Sequence, residues 1–274
     1  MRDKIDEYLK WKSTYAKRAG NVYKYTLRHL DKVETVQDII NFRYKLEEIY
    51  SPSHVAFSMS VLRDFIHFLW YKRETKLNPN LIKIPRFIPK RRIVVTAIEF
   101  EKMSAVWNEN EFIQLRNKLI INLLWDTGVR VSELVEIKLA DINENTAIIQ
   151  TRKTTTERMI MWSKHTQKLL VKYLNLRMCL NTKEKLLVGE KEQFKITSRQ
   201  IQRIIRETCI KCNMTKLITP HSFRHGKAHQ VLERGGNVKE IASILGHSEL
   251  NPRAAFQYLK LDNREQKSIL HKFI

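Results

Sequence analysis

Glycine, proline and cysteine are all scarce in this 274-residue sequence, with seven, six and three copies. None of the glycines falls between Gly20 and Gly128, so the first third carries few hairpin signals and many helical ones. Three cysteines, Cys179, Cys209 and Cys212, make a disulfide framework improbable in so long a chain and point to a reducing cytosol. No apolar run reaches ~18 residues, which excludes a membrane-spanning helix. The N-terminus MRDKIDEYLKWK mixes both charge signs and lacks the apolar core of a secretory signal. Acidic residues are in deficit, 29 against 50 Lys and Arg, and the resulting charge of +21 calls for a polyanionic partner, nucleic acid or an acidic membrane surface. What the chain does have is a 43% hydrophobic content, enough to fill the core of one large domain or two ordinary ones, so bulk disorder is excluded.

The first third reads as mostly α. Val55, Met59, Leu62, Ile66 and Leu69 recur at steps of four and three behind Ser51 and Pro52, a cap and first-turn pair. Similar patterns over Asp3–Lys17, Val22–Leu30 and Val36–Ile49 predict about four helices before residue 75. The composition then shifts: Pro79, Pro85 and Pro89 stand among Lys83, Arg86, Lys90, Arg91 and Arg92, which reads as a basic linker over 79–94. Residues 1–95 carry a net +10 and the remainder +11, so both halves are basic. Two basic lobes suit a chain that surrounds a polyanion better than one lying on a membrane, where a single amphipathic face suffices.

From Thr96 the pattern is helical again through Asn117–Trp125, and TGVRVSEL then introduces a glycine turn leading into a new helix at Ser132. Within Asp141–Trp162, TAIIQTRKTTTERMIMW is β-branched and alternating on either side of a polar turn near Lys153–Thr156, which predicts a β-hairpin. Thr166–Leu180, Ser198–Cys212 and Ser222–Arg234 resume helical spacing, and Gly246 reads as the C-cap of a helix over Val238–Leu245. The expectation is a mainly α chain with one small antiparallel sheet.

Four segments in order carry chemistry: TGVRVSEL with Arg130, QTRKTTTER with Lys153, PHSFRH with His221 and Arg224, and LGHS with His247 followed by Tyr258. Together they resemble the tyrosine recombinase (phage integrase) family, over nearly the whole chain. The resemblance implies a helical core-binding, DNA-contacting domain at 1–78, the linker at 79–94, and a mostly α catalytic domain with a small antiparallel sheet at 95–274. It also implies a two-lobed clamp on double-stranded DNA, acting as a homo-tetramer there and with a monomer possible in solution. The implied chemistry is metal-free and cofactor-free strand exchange through a 3′-phosphotyrosine. The compact, Xer-like length leaves no room for a further arm-site-binding domain.

The residue types suit that chemistry. A phosphodiester under substitution gains charge on its equatorial oxygens, and planar bidentate donors such as Arg130 and Arg224 stabilise it best. A lone arginine among 50 basic residues is ordinarily a surface residue, but Arg130 follows a glycine turn, with Glu133 one turn later to orient the guanidinium. The resemblance also places an acidic residue at Glu133. His221 and Arg224, three apart after Pro220, share one face of a first helical turn. His221, His225 and His229 could alternatively ladder a metal, but no HExxH pattern or acidic cluster accompanies them. Cys209 and Cys212 lack a second CxxC and read as small apolar residues.

Lys153 at the predicted turn could be a solvated lysine or could protonate a leaving 5′-oxygen. The resemblance favours the second, because the family's general-acid lysine stands five positions before an arginine, as Lys153 does before Arg158; neighbouring Arg152 keeps a share of that assignment. Tyr258, the only tyrosine after Tyr173, is the implied nucleophile. His247, after Gly246, would donate to a nonbridging oxygen or simply cap, and His221 would assist deprotonation of Tyr258. His247 and Tyr258 are eleven residues apart, a couple more than is commonest in the family, with Asn251–Pro252–Arg253 to loop out the difference. The tail Leu259–Ile274 offers Ile269, Leu270, Phe273 and Ile274 as an apolar face for a neighbour or for packing in cis. Competing readings are a type IB topoisomerase-like relaxing enzyme with a similar residue set, and a non-catalytic binder using VLERGGNVKEIASILG as a helix-turn-helix. The expected location is cytoplasmic, associated with the nucleoid.

Overall fold

The computed structural model describes residues 1–15, 19–88, 92–150, 157–178, 184–189 and 196–246, and the chain divides into two compact units, Met1–Arg91 and Arg92–Ile274. Four helices make the first unit: α1 (Arg2–Tyr15), α2 (Ala19–Leu27), α3 (Val36–Ile49) and α4 (Pro52–Tyr71). The spine is α4. Val55, Met59, Leu62, Ile66 and Leu69 are all buried as their spacing predicts, and Val61, Phe65 and Phe68 are buried as well. The buried face is wider than one stripe because α4 packs against α1, α2 and α3 together. Each such side chain contributes roughly 1.5–3 kcal/mol on burial. Polar ties fix α1 to this spine: the Tyr8 hydroxyl donates to Asp64 at 2.7 Å, and Lys12 reaches the same carboxylate at 2.5 Å. Thr35 and Asp38 cap α3 reciprocally, which sets where that helix starts.

Beyond α4 the chain makes a 3₁₀ turn at Pro79–Leu81, and Leu77 and Ile82 sit in the first unit's core. The proline-rich stretch thus starts inside packed structure, and residues 89–91, toward its end, lie outside the described residues.

The second unit holds α5 (Ala97–Ala105), α6 (Phe112–Thr127), α7 (Val131–Leu134), β1 (Ile142–Asn143), β2 (Thr146–Gln150), β3 (Glu157–Met161), α8 (Lys164–Met178), α9 (Ser198–Lys211), α10 (Pro220–Glu233) and α11 (Val238–Leu245). Helix α6 is apolar on most of its circumference because it is central: Leu115, Leu119, Ile120, Ile121, Leu123 and Leu124 are buried, with α5, α8, α9 and α10 around it. The three strands form an antiparallel sheet in the order β1-β2-β3, with Ile148 opposite Met159 and Ile149 opposite Arg158. Alternation puts Ala147, Ile149 and Ile160 in the core and leaves Ile148, Met159 and Met161 exposed.

The hairpin expected from that alternation is present as the paired strands β2 and β3; residues 151–156 between them, with the turn expected near Lys153–Thr156, lie outside the described residues. Strand β1, only two residues long, has no sequence signature. The helix expected to begin at Ser132 is the single turn α7, and α10 begins at Pro220 rather than Ser222 because proline's fixed φ suits a first helical position. Ahead of α5, the Val95 N–H donates to the Ser222 carbonyl at 3.3 Å, and a Cβ on Gly226 would stand 2.7 Å from the Val95 carbonyl oxygen. Glycine at 226 therefore lets a backbone segment lie directly on α10. Among the described residues no helix is long and apolar enough to cross a membrane.

Candidate active site

The site is built from chain ends: the C-termini of α6 and α11, the single turn α7, the first turn of α10 and the start of β3. Helix α6 stops at Gly128, whose φ of 59° is left-handed. A Cβ there would also stand 2.8 Å from Lys227 Cβ and 2.9 Å from Leu245 Cδ2, so both backbone and space require glycine. Two residues on, Arg130 is the N-cap of α7, and Glu133 occupies the third helical position. Glu133 Oε2 accepts the Arg130 backbone N–H at 3.0 Å, and Oε1 accepts Arg130 Nη1 at 2.7 Å. The carboxylate thus holds Arg130 at both ends.

Glu133 has a second cation. Arg158 Nη2 donates to Oε2 at 2.8 Å, and the two side chains are only 9% and 2% exposed. Burial alone would raise the Glu133 carboxyl, but the Arg130 backbone and side-chain bonds, with the charge of Arg158, hold it below the usual carboxylate range. Burial pulls the Arg158 guanidinium down, and Glu133 opposes that.

Three guanidiniums then meet the end of α11. Arg158 Nη1 donates to the Ile244 carbonyl at 2.7 Å, Arg224 Nη2 to the Leu245 carbonyl, and Arg130 Nη2 to the Gly246 carbonyl at 3.3 Å. The last carbonyls of a helix have no partner inside it and carry its negative end, so cations are the natural ligands. Gly246 itself, at φ 62°, makes the left-handed cap its sequence position predicts. Arg224 also donates from Nη1 to the Gly128 carbonyl at 3.0 Å, so one buried side chain ties the end of α6 to the end of α11.

His221, one turn before Arg224, lies at the surface, and partial burial, followed by the charges of Arg224, Arg130 and Arg92, holds its imidazole below the ordinary histidine value. It is therefore neutral near pH 7. The His221 and His225 rings are 6.4 Å apart, Arg92 Nη1 lies 3.5 Å from His225 Nδ1, and His229 pairs with Glu233 at 3.2 Å. Among the described residues no group of three histidine, cysteine or acidic side chains could hold a metal. Cys209 and Cys212 are half-buried thiols packed against the core, and burial pushes both upward.

Of the residues the sequence singles out, Arg130, Glu133, Arg224 and His221 come together here. Lys153, with neighbouring Arg152, lies outside the described residues, as do His247, Tyr258 and the tail Leu259–Ile274. Lys153 belongs to the segment joining β2 to β3, and His247 directly follows Gly246. Sequence reading placed Arg92 only in the basic linker and used Arg158 only as a spacing marker for Lys153, so neither was expected beside these side chains. A signal for Arg158 existed: it shares strand parity with inward-facing Ile160, and a charged residue on a buried face demands a partner.

The phage integrase family model matches residues 94–263. The chain is 30% identical over 242 residues to the tyrosine recombinase XerC of Thermodesulfovibrio yellowstonii, covering 83% of this chain and 79% of that protein. Among solved structures it resembles the Tn1549 transposon integrase in complex with a circular intermediate DNA, with a TM-score of 0.78 at 15% identity over 98% of this chain and 99% of the other. It also resembles a lambda integrase tetramer bound to a Holliday junction, with a TM-score of 0.73 at 16% identity over 90% and 77% of the two chains.

Proposed function

The chain belongs to the phage integrase family, and from that premise we propose how it works as a site-specific tyrosine recombinase on double-stranded DNA. The observation that carries the reading is the convergence of Arg130 and Arg224, from α7 and α10, on the end of α11, directly before His247. Two planar cations fixed on helix termini are preorganised for a phosphate whose charge grows in the transition state.

In this reading Tyr258 is the nucleophile. Its proton passes to a base, for which neutral His221 is the candidate, and its phenolate oxygen attacks the scissile phosphorus. The bond from phosphorus to the 5′-oxygen breaks as the tyrosyl bond forms, and Lys153 delivers a proton to the departing 5′-oxygen. Arg130, Arg224 and His247 hold the nonbridging oxygens, with Glu133 fixing Arg130. The 3′-phosphotyrosine keeps the bond energy, so a 5′-hydroxyl from another duplex can reverse the step without a cofactor. Residues 1–78 act as the core-binding domain, 79–94 as the linker and 95–274 as the catalytic domain, and the protein works in the cytoplasm at the nucleoid. A tetramer on DNA is supported by the lambda integrase assembly, with the apolar tail face as the element a neighbour would receive.

The test is covalent capture. Wild type incubated with a nicked suicide duplex, whose site is recovered by sequencing trapped DNA ends, forms an SDS-resistant adduct, and Tyr258→Phe forms none. An adduct retained by Tyr258→Phe removes that tyrosine from the mechanism. Relaxation of any supercoiled plasmid without such a site would transfer the protein to type IB topoisomerase chemistry.

A further inference from the structure

The hairpin that carries Lys153 has to reach a phosphate held by other elements, and β2 and β3 are short strands of five residues each in a sheet of three. A lysine at the end of such a hairpin is placed only as well as the hairpin's base is fixed. The base of β3 holds an expensive feature: a guanidinium on the buried face, opposite Ile149, where a leucine or methionine would pack without loss of hydration. That guanidinium makes two bonds outside its own sheet, to Glu133 at 2.8 Å and to the Ile244 carbonyl at 2.7 Å. Both partners belong to the phosphate-holding apparatus: Glu133 holds Arg130, and Ile244 lies in the same three-residue run whose other carbonyls take Arg224 and Arg130. Arg158 therefore references the start of β3 to the phosphate cradle, five residues after Lys153.

We propose that Arg158 is a positioning residue for the general acid: it anchors the β2–β3 hairpin to Glu133 and to the end of α11 so that Lys153 meets the leaving 5′-oxygen. Arg158 touches no reacting atom in this scheme. The inference rests on Lys153 being the general acid, and the experiment separates the two statements. A duplex whose scissile 5′-bridging oxygen is replaced by sulfur expels a thiolate, which needs no proton, so any defect confined to acid catalysis disappears on that substrate.

Arg158→Met keeps an unbranched apolar stem and removes both bonds. Covalent adduct formation is timed for wild type, Lys153→Ala and Arg158→Met on the ordinary and the 5′-thio duplex, with DNA binding and thermal melting measured alongside. The expected result is a loss of about 30-fold or more for Arg158→Met on the ordinary duplex, shrinking to less than about threefold on the thio duplex, as for Lys153→Ala. An equal loss on both substrates overturns the proposal and makes Arg158 a support for Arg130 or for the fold alone; so does no loss on either. If Lys153→Ala is not rescued by sulfur, Lys153 is not the acid and the inference falls with it. Should Arg158→Met melt below the assay temperature, Arg158→Lys, which keeps the charge beside Glu133 but cannot also span to Ile244, is read by the same criteria.

Discussion

Replacing Glu133 by glutamine preserves shape and removes one buried charge from between two guanidiniums. In the native site Oε1 takes Arg130 Nη1, and Oε2 takes the Arg130 backbone N–H and Arg158 Nη2. An amide has only one acceptor oxygen. Its better orientation leaves that oxygen at the Oε2 position and turns the NH₂ toward Arg130 Nη1, donor against donor. Breaking a buried pair in this way costs roughly 3–5 kcal/mol, and the retained oxygen puts Glu133→Gln near the lower end, about 3 kcal/mol. About 2 kcal/mol of that loss falls on the orientation of Arg130, so cleavage should slow by about 30-fold, less than the 10²–10³ for deleting an oxyanion donor outright.

The pH dependence follows from the direction of the shift. Glu133 titrates lower in the folded chain than its ordinary value of 4.5, so its contribution is fully present above that value and is lost as pH falls through the folded pKa. Urea unfolding read peptide by peptide through hydrogen exchange scores the second unit separately from the first. The gap between wild type and Glu133→Gln should be about 3 kcal/mol at pH 7 and should shrink as pH falls from 4.5 toward 3. A gap below about 1 kcal/mol at pH 7, or one unchanged across that range, would refute the argued role of the carboxylate.

Two glycines in left-handed backbone separate steric from conformational cost. Gly128→Ala meets both a positive φ and contacts of 2.8 and 2.9 Å, and should lose about 3 kcal/mol; Gly235→Ala, at φ 84° with open space around it, should lose about 1. Equal shifts in urea midpoint would show that the close approach of Lys227 and Leu245 carries no energy. For His221, whose folded pKa lies below 6.5, the protonated ring is disfavoured in the fold, so stability and cleavage should both hold above that pH and decline as pH falls below it. A cleavage profile with its acid limb centred above pH 7, or one that His221→Gln leaves unaltered, would take His221 out of the base role.

What the sequence made legible was mostly local. The stripe on α4 and the turn at Gly246 are written in neighbours three to eight residues apart, where periodicity and helix-end chemistry act. Arg130, Glu133, His221 and Arg224 stood out because the order of the segments that carry them resembles the phage integrase family. The sharing of Glu133 between Arg130 and Arg158 was hidden, since its second cation lies 25 residues away on a strand. So was the need for glycine at 226, which arises from Val95, 131 positions earlier in the chain. Such pairings are decided by tertiary packing, which no window of a few residues contains.

The carbonyls of Ile244, Leu245 and Gly246 are each gripped by an arginine from a different element. That run acts as a datum from which the rest of the C-terminal chain is measured. Because it lies before His247, insertions or deletions between His247 and Tyr258 should leave Arg130 and Arg224, the arginines proposed to hold the phosphate, where they are. The eleven-residue interval in this chain is then a dimension that an engineered variant can lengthen or shorten without moving these arginines, whereas a single deletion inside α11 would displace all three guanidiniums at once.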